Sequence, residues 1–173
     1  MAQSKKTDEL YGLIEGIEIA MFTTRRADGR LVSRPMATQA QAAGADFWFV
    51  TERSADKLEE LEHESQVNLA YYNQKSREYV SVSGIAHISD DRAKIRELYR
   101  PDWKAWFSGD SRDAGTSDDP RIVLIAVEAE SAVYLKIDKP RPVVLFEVVK
   151  GMLTGKRADI GETKRASGSE ISR

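Results

Sequence analysis

The chain alternates short apolar runs with polar turns, and its period changes abruptly within residues 46–61. Residues 47–51 are aromatic or β-branched, which is typical of a buried strand. Leu58 and Leu61 then recur three residues apart among glutamates, a spacing that predicts one apolar stripe of a solvated helix. Ser54 is placed to cap that helix. The segment is therefore expected to form a strand, a turn and a helix.

The rest of the chain predicts more strands than helices. Helical spacing indicates an N-terminal helix over residues 4–17 and a second helix that starts at Ser89-Asp90-Asp91. Strands are expected at residues 19–24, 31–43, 66–72, 78–88, 122–128, 132–137 and 143–149. Because helices are inserted among the strands and do not alternate with them, we expect an α+β fold around a small, mostly antiparallel barrel.

Three residues carry specific expectations about how these strands connect. Asp28-Gly29 between two strand candidates predicts a hairpin. Pro35 requires an edge position or a bulge, because proline has no N–H to donate. Gly84 predicts a bulge or bend of the kind that closes barrels.

Composition limits the chemistry. The 173 residues contain no cysteine, which excludes thiol nucleophiles, disulfides, iron–sulfur clusters and thiolate zinc sites. The net charge of −2 gives no electrostatic reason to expect nucleic acid or a membrane as a partner. No secretory signal or membrane span is recognisable, so a cytoplasmic protein is expected. We expect one domain over residues 1–150 and a polar, mobile tail over residues 151–173, unless a partner orders it.

Lys57 is the most informative candidate for chemistry. It lies in the first turn of the predicted helix, where a cation is poorly placed against the helix dipole. Free backbone N–H groups, the Ser54 hydroxyl and the Lys57 ammonium would together suit a terminal phosphate. The alternative is an ordinary strand–turn–helix with an unassigned lysine, and the local pattern taken alone favours it.

The order of motifs along the chain supports the phosphate interpretation. Ser33-Arg34-Pro35-Met36, residues 47–57, residues 68–72, residues 79–84 and the segment KAWF ending at Phe107 follow one another in the chain. From about residue 10 to 149, this order resembles the pyridoxamine 5′-phosphate oxidase-like superfamily, and in particular its general stress protein 26-like branch. The resemblance implies a six-stranded, mostly antiparallel split β-barrel with flanking helices. It also implies a homodimer that binds FMN in a groove between its subunits.

The resemblance assigns cofactor-binding roles to individual residues. Arg34 matches an arginine that reaches the flavin phosphate or ribityl chain, and Pro35 and Met36 follow it where the strand borders the isoalloxazine ring. Thr51 matches a threonine that hydrogen-bonds the flavin, and Lys57 matches the phosphate-binding lysine. A second lysine of the oxidase would fall near Gln39 in this chain and is absent here.

Ser54 and two tryptophans complete the predicted flavin site. Ser54 stands three residues before Lys57, whereas many relatives have the serine two before, so capping is its first expected role and phosphate binding its second. Trp103 and Trp106 resemble tryptophans near the flavin groove. The alternative is that both dock their helix onto the barrel, and Trp106 is then the expected core residue because Phe107 adjoins it.

Two charged segments have structural and functional interpretations. Arg25, Arg26 and Arg30 surround the Asp28-Gly29 turn, where they would either recruit an anion or form a solvated turn, the reading we favour. The loop over residues 109–120 holds the acidic residues Asp110, Asp113, Asp118 and Asp119. This loop is expected to be a surface insertion or a lid, without the pattern of a calcium loop.

The expected function is that of an FMN-binding flavoprotein, with FAD as the other possible cofactor. Flavin-dependent redox activity on an unidentified small molecule, in a stress-related role, is the first hypothesis. A flavin-binding protein that stores or senses flavin without turnover is the second. The oxidase proper is disfavoured because residues 151–173 lack its arginine and histidine signature. No catalytic residue is identifiable, and His63 and His87 have no partners at metal-ligand spacing.

Overall fold

One antiparallel sheet organises the computed structural model, which describes residues 2–107, 109 and 111–172. Within those residues the strands follow the order β2-β1-β4-β5-β6-β3, and β7 pairs with the second half of β6. Their bounds are β1 Ile19–Arg25, β2 Leu31–Ala37, β3 Phe47–Glu52, β4 Gln66–Tyr72, β5 Tyr79–Ser89, β6 Ile122–Lys136 and β7 Glu162–Ser167.

Helices surround this sheet. They are α1 Ala2–Ile17, α2 Asp56–His63, α3 Arg92–Leu98, α4 Arg141–Thr154 and α5 Gly168–Ile171, with a 3-10 helix at Pro101–Ala105. The predicted N-terminal helix and the helix after Asp91 are both confirmed. The Asp91 carboxylate caps α3 by accepting hydrogen bonds from the backbone N–H groups of Ala93 and Lys94. None of the described helices is long and apolar enough to cross a membrane.

The sheet curls into a barrel that stays split between its two end strands. The long strand β6 pairs with β3 through its first half and with β5 along most of its length. The ends of the path, β2 and β3, share no ladder, and the N–H of Gln39 donates to the carbonyl of Trp48 across the gap over 2.9 Å. The α+β split barrel is therefore confirmed, with β7 as an addition to the six expected strands.

The hairpin, edge and bulge predictions are also confirmed. Asp28-Gly29 lies in the turn between β1 and β2, and Pro35 lies in the edge strand β2. The β5–β6 register shifts between Ser83 and Gly84. A Cβ on Gly84 would lie 2.2 Å from the carbonyl oxygen of Glu128, so only glycine fits this close approach.

Two apolar cores share β3. The main core fills the barrel beneath α1 and includes Leu10, Ile14, Phe22 and Phe49. The second lies on the opposite face of β3 and β6, beneath α3 and the 3-10 helix, and comprises Trp48, Ile95, Leu98, Trp103, Phe107, Ile122, Leu124 and Ala126. Both faces of β3 are covered, which explains its unbroken apolar run.

Two strand predictions were wrong, and the strand predicted over residues 31–43 was too long, because β2 ends at Ala37. Residues 143–149 lie in α4, because an apolar run of that length suits either element, while Pro142 starts a helix and Gly155, at φ +67°, ends one. Residues 122–128 and 132–137 are one continuous strand, because Ala129 keeps its pairing with β5 at the bulge.

The polar C-terminal residues contain secondary structure where the sequence predicted none. Strand β7 pairs with β6, and α5 buries Ile171 completely. The hydroxyls of Thr7 and Tyr11 on α1 donate to the carbonyls of Glu170 and Ile171, at 2.5 and 3.2 Å. These contacts attach the chain end to α1. The division into a domain and a mobile tail at residue 150 stays a prediction.

Candidate functional site

A polar cleft of about 780 Å³ opens between the β1–β2 hairpin and α2. Arg26 lines it from the hairpin, Arg34 from β2 and Lys57 from α2. Four carboxylates and one histidine also line its wall: Asp28, Asp56, Glu59, Glu60 and His63. The cleft therefore combines three cations with four carboxylates within one chain.

Arg34 is held in place by a closed ring of hydrogen bonds. Strand alternation turns Arg34 inward, while its neighbour Pro35 is exposed on the opposite face. Its Nη2 lies 2.7 Å from Oε2 of Glu60, and its Nη1 donates to Oγ1 of Thr24 over 2.6 Å. The Thr24 hydroxyl in turn donates to the same Glu60 oxygen over 2.5 Å. Thr24 is buried, so the ring is anchored in the barrel wall.

Glu60 is charged in this ring. Burial raises the pKa of its carboxyl, but the hydrogen bonds from Thr24 and Arg34 outweigh burial and leave that pKa below its usual range. Arg34 therefore meets a carboxylate within the cleft.

Lys57 lies beside Arg34 and is less well neutralised. Its Nζ donates to Oγ1 of Thr51, at the end of β3, over 2.9 Å. Burial lowers the pKa of Lys57, and the charge of Arg34 lowers it further, against the opposite effects of Glu60 and Asp56. An ammonium whose charged form is disfavoured by burial and by a neighbouring cation would be stabilised by a bound anion.

The first turn of α2 has no side-chain cap. Ala55, in an extended conformation, is the N-cap residue and caps nothing with its side chain. The prediction that Ser54 caps this helix is therefore wrong, because the turn after β3 is one residue longer than expected. Ser54 is exposed in that turn. The helix start offers backbone N–H groups beside Lys57.

The two tryptophans differ in burial, and the buried one is Trp103, not Trp106. Trp103 is buried in the second core, and its Nε1 donates to Oε1 of Gln39 over 3.1 Å. Trp106 is 82% exposed, so its prediction as the likelier core residue is wrong. Phe107, and not Trp106, fills the core position next to Trp103, because the chain leaves the 3-10 helix at residue 106.

The structure thus brings together some of the predicted site residues and separates others. Arg34 and Lys57 share the cleft, and Thr51 supports Lys57. Met36 is buried in the main core two residues along β2. Among the residues that the structure describes, the other predicted members do not line this cleft: Pro35, Ser54, Trp103 and Trp106.

Sequence reasoning missed Thr24 and Glu60. Glu60 follows Lys57 by three residues, so the two share one helix face, and that spacing was a usable signal. Thr24 could be found only from the β1–β2 register, which pairs it with Val32 and places it near Arg34. Arg26 is an exposed hairpin residue, yet it lines the cleft.

The acidic loop is anchored by a buried carboxylate. Asp119 is fully buried, so the prediction of a surface insertion is wrong for this residue. Hydrogen bonds from Arg121 lower the pKa of Asp119 to about 2, against the effect of burial, with help from the N–H of Gly115. Asp110 lies outside the described residues. Across the described chain, no group of three or more His, Cys, Asp or Glu side chains could hold a metal ion.

The fold and this cleft place the chain in a known class of split barrels. Residues 5–159 match the family model described as pyridoxamine 5′-phosphate oxidase like. The chain therefore belongs to the pyridoxamine 5′-phosphate oxidase-like family.

The chain is similar to one protein by sequence and to a solved structure by fold, over most of its length. Protein bli-3 of Neurospora crassa is 32% identical over 171 residues, which cover 96% of this chain and 82% of that protein. A structure described as a proposed general stress protein 26 from Jannaschia sp. CCS1 matches with a TM-score of 0.72 at 23% identity, over 95% of this chain and 99% of its own.

A third relative is described by its ligand. The general stress FMN/FAD binding protein of Xanthomonas citri matches with a TM-score of 0.61 at 22% identity, over 75% of this chain and 87% of its own. At such identities the likeness to the solved structures establishes the fold.

Proposed function

We propose that this chain binds FMN, with the terminal phosphate held by Lys57 and Arg34. The observation that carries the proposal is the half-buried ammonium of Lys57, whose pKa is lowered beside a second cation. A phosphate dianion would relieve both penalties. The uncapped start of α2 adds backbone N–H donors at the same place.

The donors present fit a phosphate. An ammonium has three N–H donors, and Thr51 takes one from Lys57. A guanidinium has five, of which the ring with Thr24 and Glu60 takes two from Arg34. The remaining donors are available to phosphate oxygens. Family membership and the Xanthomonas citri relative support a flavin as the molecule that carries this phosphate.

Other residues would place the ring. By their match to the family pattern, Pro35, Met36 and Thr51 border the flavin, with Ser54 and Trp106 at its periphery, while Trp103 is buried in the second core. Bound FMN supplies hydride and electron chemistry. The chain's own residues would anchor the phosphate, fix the ring's position and exclude water from it. We extend the proposal to redox activity on a small molecule in a stress-related role. The description of two similar structures as general stress proteins supports the stress-related role.

A homodimer with the flavin between its subunits completes the proposal. The outward sheet face exposes Ile19, Met21 and Tyr72, and α4 exposes a larger apolar set: Val143, Leu145, Phe146, Val149, Met152 and Leu153. Exposed apolar patches of this size mark interaction surfaces. Two cations of α4 and its flank are paired with nearby carboxylates, Lys150 with Glu147 and Lys139 with Asp159.

Purified protein tests the proposal. We expect the protein to be yellow as purified, or to be colourless and open to reconstitution with FMN. A protein that cannot be reconstituted with FMN or FAD would contradict it. Bleaching by NADH or NADPH and reoxidation in air would support redox turnover. A flavin that binds but is not reduced would support the storage or sensing hypothesis.

A further inference from the structure

Arg34 has an anionic partner within the chain itself. Glu60 lies 2.7 Å from its Nη2, and both residues also contact the buried hydroxyl of Thr24. The pair is largely shielded, because the side chains of Arg34 and Glu60 are 20% and 12% exposed. Such a pair is little screened by salt, so the negative charge of Glu60 acts on anything that approaches Arg34.

A phosphate at Arg34 would therefore meet Glu60 as well. Glu60 lines the same cleft as Arg34 and Lys57, and it lies on the same face of α2 as Lys57, three residues further on. Its carboxylate would repel a phosphate dianion and would compete for the same guanidinium edge. Phosphate binding must either share Arg34 with Glu60 or displace it.

We propose that Glu60 is a built-in counter-anion that competes with the cofactor phosphate for Arg34 and keeps the flavin exchangeable. The inference rests on the proposed function, because it assumes that a flavin phosphate occupies this cleft. When the cleft is empty, Glu60 stabilises the neighbouring cations Arg34 and Lys57. When FMN binds, the charge of Glu60 weakens binding of the phosphate. Its charge therefore limits FMN affinity while leaving the affinity for riboflavin, which has no phosphate, unaffected.

A purely positioning role for Glu60 predicts the opposite result. If Glu60 only oriented Arg34, its removal would release the guanidinium and weaken FMN binding. Thr24 argues against that outcome, because its buried hydroxyl can still accept from Nη1 of Arg34 when Glu60 is replaced. A glutamine at position 60 also keeps a carbonyl that accepts a hydrogen bond from Nη2.

Glu60→Gln tests the proposal, and Glu59→Gln is its matched control. Glu59 lies next to Glu60 on α2 and lines the same cleft, but it is exposed. Both variants remove one negative charge, and only the first removes it from the partner of Arg34. Dissociation constants for FMN and riboflavin, with FMN release rates, are measured for wild type and both variants. Glu60→Ala is measured in parallel, so that either position-60 variant that folds decides the result.

We expect Glu60→Gln to bind FMN about tenfold more tightly and to release it more slowly, the effect of one partly buried charge. Riboflavin binding should be unchanged, and Glu59→Gln should alter FMN binding by about twofold or less. Weaker FMN binding by the position-60 variants would overturn the proposal in favour of positioning. Equal tightening in both glutamine variants would overturn it in favour of a general charge effect. If no form binds FMN, the proposed function itself fails.

Discussion

Lys57 and Thr51 join the first turn of α2 to the end of β3 through a hydrogen bond of 2.9 Å. Thr51 is buried, so the bond holds the ammonium at a defined place in the cleft wall. Arg34 lines the same cleft from β2. The two cations are therefore positioned by separate elements before a ligand binds, which lowers the ordering cost of binding an anion.

We expect FMN binding to be linked to protonation of Lys57. Its pKa is lowered in the free protein, first by burial and then by Arg34, and a bound phosphate should raise it again. FMN affinity should therefore fall as the pH rises through the lowered pKa of Lys57. Isothermal titration calorimetry in buffers of different ionisation enthalpy should detect proton uptake on binding in that range.

Lys57→Arg is the control for this linkage, because a guanidinium does not titrate in the accessible range. The variant should bind FMN without the alkaline loss of affinity. A wild-type affinity that stays constant up to about pH 10.5, the ordinary pKa of lysine, would contradict the assignment of Lys57 to the phosphate.

The buried Asp119 carboxylate should make the stability of the protein depend on pH in the acidic range. Its pKa of about 2 in the folded protein lies below its ordinary value of 3.8. The corresponding stability is present above about pH 4 and is lost as the pH falls towards 2, an effect of about 2 kcal/mol. Asp119→Asn should lower the free energy of unfolding at pH 7 by about this amount, measured by urea denaturation.

Asp118→Asn is the matched control. Asp118 pairs with Arg96 at 2.8 Å, but both side chains are more than half exposed. An exposed ion pair contributes about 1 kcal/mol or less. Equal losses in the two variants would show that the buried position of Asp119 is unimportant.

Gly84 should resist substitution. An alanine Cβ there would lie 2.2 Å from the carbonyl oxygen of Glu128, so the β5–β6 bulge must shift to admit it. We expect Gly84→Ala to cost about 2 kcal/mol or more of unfolding free energy, measured by chemical denaturation. Gly12→Ala lies in α1, where an added Cβ would meet nothing within 4 Å beyond its own helix backbone and chain neighbours, and it should be neutral or stabilising by about 1 kcal/mol. A Gly84→Ala variant with the same unfolding free energy as wild type would contradict the close approach of β5 to β6 at this position.

The proposed homodimer depends on α4. Phe146 and Leu153 are 64% and 83% exposed, and charges there would prevent burial against a second copy. Phe146→Glu with Leu153→Glu should convert a dimer to a monomer in sedimentation velocity. Lys156→Glu is the control, since it adds negative charge on the exposed flank without changing an apolar side chain. A wild-type monomer, or a double variant that stays dimeric, would contradict the assignment.

The barrel was predictable because its signals are local. The Asp28-Gly29 hairpin, the edge position of Pro35 and the bulge at Gly84 each follow from what one residue's backbone allows. Residues 143–149 were mistaken for a strand because their apolar run has no clear period. Pro142 directly precedes the run, but the helix ends only at Gly155, well beyond it. Strand β7 was missed because pairing with β6, and not its own composition, orders it.

The site was predictable only in part, because some of its residues are brought together by tertiary contacts that are not local in the sequence. Lys57 was recognisable from its conflict with the helix dipole and from the family pattern. Trp106 was misplaced because adjacency to Phe107 does not determine which side chain faces the core. The ring of Arg34, Thr24 and Glu60 joins β2, β1 and α2. Only the spacing of Glu60 from Lys57 gave a local signal, and the contacts of the ring depend on tertiary geometry.

Comparing FMN with riboflavin tests the central claim most directly. Quenching of flavin fluorescence gives both dissociation constants for wild type and for Lys57→Ala. We expect wild type to prefer FMN strongly, and Lys57→Ala to lose about 1.5–3 kcal/mol of FMN binding with riboflavin unaffected, the contribution of one charge-assisted contact. Equal wild-type affinity for the two flavins, or an FMN preference that is undiminished in Lys57→Ala, would show that the phosphate does not bind at Lys57.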